Sequence, residues 1–109
     1  MQERSEKAIV EAIIKRLRAH SGERGWWMKV HGSAVQRAGT PDIIGCFDGR
    51  FVGLEVKKPT TRSTVTAIQR STIEDLLGAG AIATVVTSED EAVEAVFGSE
   101  WMTTGFNAR

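Results

Sequence analysis

Three observations predict an α/β fold with a mixed central sheet of about four strands flanked by helices, in the order αβββαβα. Apolar residues recur at helical spacing near the start, two alternating segments meet at Asp48-Gly49, and the second half runs helix, strand, helix. Residues 5–19 carry Val10, Ile13, Ile14 and Leu17 on one helical stripe, and Ser21-Gly22-Glu23 stops the helix. Segments 26–31 (WWMKVH) and 42–47 (DIIGCF) read as strands, and Asp48-Gly49 joins the latter to a third strand from about Arg50 to Lys57, which ends before Pro59. The Thr/Ser-rich stretch TTRSTVT reads as a loop before a helix from about Ala67 to Leu77, closed by Gly78 and Gly80. IATVVT is expected as a short strand buried on both faces, and Ser88 with Glu91 forms a capping box for a last helix ending near Phe97. There is no repeat and no low-complexity segment.

With 109 residues, the chain is expected to form a single domain, 1–109, because two cores would each sit near the lower limit for folding alone. Hydrophobic residues at 41% and charged residues at 26% suit a globular protein. No apolar run approaches the ~20 residues of a membrane span. Glu3, Glu6 and Glu11 interrupt the place where a signal peptide would be apolar, so a cytoplasmic location is expected. Cys46 is the only cysteine, which excludes an internal disulfide and a cysteine-based zinc cluster, and its apolar neighbours suggest a buried strand position. The formal net charge is zero but unevenly spread: Lys29, His31, Arg37, Arg50, Lys57, Lys58, Arg62 and Arg70 occupy the middle, and acidic residues crowd the C-terminal third.

The chemistry concentrates in Thr40-Pro41-Asp42 and Leu54-Glu55-Val56-Lys57. On a strand Glu55 and Lys57 share a face while Leu54 and Val56 face the core, and the hairpin folds Asp42 back towards them. Charges among apolar strand residues cost several kcal/mol unless compensated. A divalent cation between Asp42 and Glu55 would compensate them, and oxygen-only ligation suits Mg²⁺ or Mn²⁺. A metal with a nearby cation is also what phosphodiester hydrolysis requires. The bland alternative, an exposed Glu–Lys pair on a sheet, fits poorly with apolar residues at every alternate position.

Pro41-Asp42 with Glu55-Val56-Lys57 resembles the signature of the PD-(D/E)XK nuclease superfamily. GTPDIIG, FVGLEVKKP and the downstream Gln69 resemble its VRR-NUC branch, of the small stand-alone kind found in phages and bacteria. The similarity runs from Glu6 to about Thr87 and implies a restriction-endonuclease-like core. It implies that Asp42 and Glu55 ligate the metal, that the Val56 carbonyl adds an oxygen ligand, and that Lys57 acts on the water or the phosphate. It also implies a glutamate on the first helix. Glu6 shares a face with Val10, Ile13 and Leu17, whereas Glu11 shares one with Lys7, Lys15 and Arg18. A solvated glutamate favoured by the helix dipole is the other reading of Glu6. Gln69 matches the branch's glutamine, but Thr66 and Gln69 also have capping-box spacing.

The expected catalytic set is therefore Glu6, Asp42, Glu55, Lys57 and Gln69. Lys29, His31, Arg37, Lys58 and Arg62 are candidate nucleic-acid contacts, while His20, beside a helix end, reads as structural. The resemblance implies a Mg²⁺- or Mn²⁺-dependent DNA endonuclease specific for branched structures. A Holliday-junction resolvase acting as a homodimer is the leading expectation, since symmetric cutting needs two sites about a two-fold axis. A sequence-specific restriction-type endonuclease would need extra loops for base readout, and a non-catalytic binding module would be expected to lack one of Asp42, Glu55 or Lys57. The segment 98–109 is either a frayed tail or a partner-contacting arm carrying Trp101 and Phe106, and Ala92, Val93 and Val96 are further interface candidates, although helix-on-sheet packing could use the same residues.

Overall fold

Helix α1 (Glu6–Ser21) starts where the Ser5 hydroxyl accepts the Ala8 N–H at 3.1 Å and ends at Gly22, at a φ of 54°. These boundaries come from a computed structural model, which describes residues 2–32 and 37–98. The stripe Ile9, Val10, Ile13, Ile14 and Leu17 is buried, and truncating a residue such as Leu17 to alanine would cost about 2–5 kcal/mol. A 3-10 turn, Gly22–Arg24, leads into strand β1 (Gly25–Lys29). Strands β2 (Ile43–Phe47) and β3 (Arg50–Val56) follow, then helix α2 (Ala67–Gly78), strand β4 (Ile82–Val86) and helix α3 (Glu89–Val96). The order αβββαβα and the mixed sheet are those the sequence predicts.

The sheet order is β1-β2-β3-β4, antiparallel across the first three strands and parallel between β3 and β4, with α2 as the crossover. Asp48 and Gly49 both take positive φ, 52° and 80°, the backbone of a tight hairpin whose twist matches its strands. That turn sets Ile43 opposite Leu54, so the next position back on β2, Asp42, falls level with Glu55.

One face of the sheet carries Trp27, Ile43, Phe47, Val52, Leu54, Val56 and Val86 against α1 and α3. Gly45 lies on this face because a Cβ there would come within 2.4 Å of the Trp27 ring and 2.3 Å of the Trp26 carbonyl oxygen. Trp27 is buried and donates to the Ser21 hydroxyl at 2.9 Å, whereas Trp26 is 60% exposed on the opposite face. Alternation along β1 thus sends the two rings to opposite faces. On that opposite face α2 covers only part of the sheet, with Leu76 lying over Gly53 beside Pro41.

Four expectations need correction. Ala92 and Val96 are buried and Val93 packs against the same core, so the apolar side of α3 is spent on α1 and β4 and offers no interface. Trp101 and Phe106 lie outside the described residues. β4 is less deeply buried than expected: it has α2 on one face and α3 on the other and buries Ala83 and Val86, but as the outermost strand it leaves Ile82, Thr84 and Val85 half-buried. Cys46 is half-buried, because it points to the face that α2 does not reach. Part of the expected loop, Pro59–Thr64, is wound into 3-10 turns, begun by Pro59 and tied by the Thr61 hydroxyl to the Lys58 backbone. Among the described residues no helix is long and apolar enough to cross a membrane.

Candidate active site

Strand alternation brings Asp42, Glu55 and Lys57 to the ends of β2 and β3 on the α2 face. Glu55 is 4% exposed and Lys57 9%, unusual burial for charged residues. Asp42 is fixed by the backbone: its Oδ2 accepts the Val56 N–H at 2.8 Å, and its carbonyl accepts the Val30 N–H, also at 2.8 Å. The Asp42 and Glu55 carboxyls lie within hydrogen-bonding reach. Burial, then the Asp42 charge and that hydrogen bond, push Glu55 up to about 8, against the opposing pull of Lys57. Without a cation beside it Glu55 holds its proton at neutral pH.

Gln69 closes the expected cap and also reaches Glu55. Its Oε1 accepts the Thr66 N–H at 2.9 Å and its own N–H donates to the Thr66 hydroxyl at 3.1 Å, closing the box at the start of α2. With Oε1 so engaged, Nε2 faces the site and donates to Glu55 Oε2 at 2.9 Å. The helix cap therefore orients the amide that holds Glu55.

Glu6 is exposed at the first turn of α1, where the stripe of Val10, Ile13 and Leu17 runs past the core, and it is close enough to contribute to the raised Glu55 pKa. Glu11 instead pairs with Lys29 at 3.7 Å. Two contacts that sequence patterns could not reveal fix the start of α1. Glu3 accepts from the Thr60 N–H at 3.0 Å and the Thr60 hydroxyl at 2.6 Å, and Arg4 donates to both oxygens of Glu89, at 2.8 and 3.0 Å. Each joins segments far apart in sequence through exposed side chains, so no local spacing marks it.

The candidate nucleic-acid contacts divide into two groups. Lys29 is paired with Glu11, and Arg62 with Glu91 at 2.8 Å. Arg37 and Lys58 have no ion pair among the described residues, nor do Lys57 and Arg70. Arg4, Arg16 and Arg24 are paired with carboxylates, and Arg18 and Arg50 donate to backbone carbonyls. Unpaired cations thus stand beside the site residues in sequence, although Lys7 and Lys15 on α1 are unpaired too. His31 is exposed, and His20 stacks on Phe97 at 5.0 Å. Beside Asp42 opens a cavity of about 250 Å³ lined by Val30, Arg37, Gly39, Thr40 and Pro41 among others.

No family model matches the chain, and no curated protein matches it either.

Among the described residues no three His, Cys, Asp or Glu side chains converge as a ready metal cluster. Asp42 and Glu55 nonetheless fit a hard divalent cation, because Mg²⁺ binds through one or two carboxylates and keeps waters or phosphate oxygens for its remaining positions.

Proposed function

We propose that the chain is a metal-dependent nuclease of the VRR-NUC type that hydrolyses phosphodiester bonds in DNA. The observation that carries the reading is a buried Glu55 beside Asp42, with the Gln69 amide on one oxygen and Lys57 on the same strand face. A merely structural pair would bring Glu55 and Lys57 into contact, but no ion pair holds Lys57 among the described residues. Among the described residues no fully buried side-chain nitrogen or oxygen lacks a partner, so the Lys57 ammonium, which has none, ends where solvent reaches it.

Asp42 and Glu55 would hold Mg²⁺ or Mn²⁺, with the Val56 carbonyl a further oxygen ligand, and the ion when bound would polarise the phosphate and make water more acidic. Lys57 orients the attacking water or balances charge gathering on the phosphate. Gln69 fixes Glu55 in the ligating rotamer, and Glu6 adds a carboxylate at the open side. Arg37 and Lys58, which have no ion pair among the described residues, meet neighbouring phosphates. Within this reading we place the enzyme in the cytoplasm as a homodimer on branched DNA, with a Holliday junction cut at two sites about a two-fold axis.

The test uses purified protein on junction, flap, single-stranded and duplex DNA with Mg²⁺, Mn²⁺ or EDTA. Cleavage should need the metal and vanish in Asp42→Ala and Glu55→Ala. Lys57→Ala should lose turnover while keeping Mn²⁺ affinity by calorimetry. Near wild-type rates in either carboxylate variant would refute the site. A stable monomer that cuts linear duplex as readily as junctions would refute the resolvase reading alone.

A further inference from the structure

The face of the sheet that bears the site continues past it along β1 and β2. Strand pairing places Trp26, Cys46 and Phe51 in one row across β1, β2 and β3, and Met28, Ile44 and Gly53 in the next row towards the site. Trp26 is 60% exposed, Phe51 41% and Met28 38%, while every large apolar side chain on the other face is packed under α1 and α3. Along β1 the sequence of side chains on this face is Val30, which lines the cavity beside Asp42, then Met28, then Trp26. At about 6.7 Å per two residues, Trp26 lies roughly 13 Å from the level of Asp42, some four stacked-base rises along a strand.

We propose that Trp26 and Phe51, with Met28 between them and the site, form a stacking platform for unpaired bases of the nucleic-acid substrate. The inference rests on the nuclease reading above and extends it, by requiring a single-stranded segment close to the bond that is cut. Every base has a π-face that aromatic side chains can accept, whatever its identity, so such a platform binds open strands without reading sequence. The cations support the same path: Arg37 lines the cavity beside Asp42 and has no ion pair among the described residues, so a strand running over the rings to the carboxylates ends beside a positive charge. A second protein chain fits less well. Three side chains exposed by about half offer roughly 300 Å², whereas a standard interface needs about 800 Å² from each partner.

The experiment measures equilibrium binding of the full chain in EDTA, which prevents cleavage, to a labelled fork with a single-stranded arm and to the same sequence fully paired. Trp26→Ala and Phe51→Ala should each weaken fork binding about tenfold and change duplex binding less than twofold. Trp26→Phe should restore most of the loss. 2-Aminopurine placed in the arm should be quenched by the wild type and not by Trp26→Ala. Met28→Ala, which keeps both rings, should fall between wild type and Trp26→Ala. Equal losses on fork and duplex, or none, would overturn the platform, as would a change from dimer to monomer by light scattering that tracks the loss. If the wild type cuts DNA with Mg²⁺ while Trp26→Ala binds forks normally, only this inference falls. If it neither binds nor cuts nucleic acid, both readings fall.

Discussion

Replacing Glu55 by glutamine removes a titration that the fold makes unfavourable. In the folded, metal-free chain this carboxyl is held at about 8 by burial and by Asp42, against an ordinary value of 4.5. Below 4.5 both folded and unfolded states are protonated there and Glu55 is neutral in its effect. As pH rises through 4.5 the unfolded chain releases the proton while the folded one retains it, so stability falls until about pH 8 and then levels off. At about 1.4 kcal/mol per pH unit the full interval corresponds to roughly 5 kcal/mol, and relaxation around the pair should leave on the order of 2–5 kcal/mol. The carboxylates held low by their partners, Glu3, Glu89 and Glu91, act in the opposite sense and below this window. Thermal unfolding in EDTA should therefore show the wild type losing stability from pH 5 to 8 and Glu55→Gln holding steady. The two should end at least about 10 °C apart at pH 8. Adding Mn²⁺ should recover the wild type at pH 8 and do little for the variant, because binding expels the Glu55 proton. Parallel curves for the two proteins between pH 5 and 8 would refute the account of a proton held on Glu55.

Gln69→Ala should lower the single-turnover cleavage rate by tenfold or more and destabilise the chain by about 1–2 kcal/mol in denaturant titrations, because one side chain both caps α2 and holds Glu55. Glu6→Gln should reduce cleavage far more than Glu11→Gln, whose exposed pairing with Lys29 is worth about 1 kcal/mol at most; the reverse order would place the wrong helix face at the site. Lys58→Ala and Arg37→Ala should weaken DNA binding and flatten its salt dependence more than Lys29→Ala or Arg62→Ala, read from affinities across a salt series. Gly45→Ala should destabilise by about 3 kcal/mol or fail to fold, since its Cβ would strike the Trp26 carbonyl oxygen, and expression with circular dichroism decides it.

The elements were legible because their signals are local. The α1 stripe, the Asp48-Gly49 turn and the Ser88 cap each announce themselves within a few residues, and alternation along β3 alone puts Glu55 and Lys57 on one face. Gln69 was half-legible: spacing showed the cap, but only the position of α2 over β3 showed that the spare amide would reach Glu55. The depth of burial of β4 was overestimated and the α3 face left open between partner and core for one reason, that a hydrophobic pattern tells that a residue packs and not against what. β4 turned out to be an edge, and α3 turned inward. The pairing of Lys29 and Arg62 with carboxylates was out of reach, because Glu11 and Glu91 come from distant helices.

Glu6 stands on the first turn of α1, and that turn is kept in place by the Ser5 cap and by two exposed tethers, Glu3 to Thr60 and Arg4 to Glu89. Helix ends held by surface contacts open far more readily than a core does. On the proposed nuclease reading, Glu6 would thus belong to the part of the molecule that loosens first, while Glu55 lies on the central strand β3 and Asp42 is tied to its backbone. On warming, or in high salt, which screens the Arg4–Glu89 pair, the chain would keep its sheet and its paired carboxylates yet lose the third acidic group, so activity would fade some degrees ahead of melting. The same logic applies to anything attached before Ser5. A fused segment need not touch the site to switch it down; it need only compete for Thr60 or Glu89.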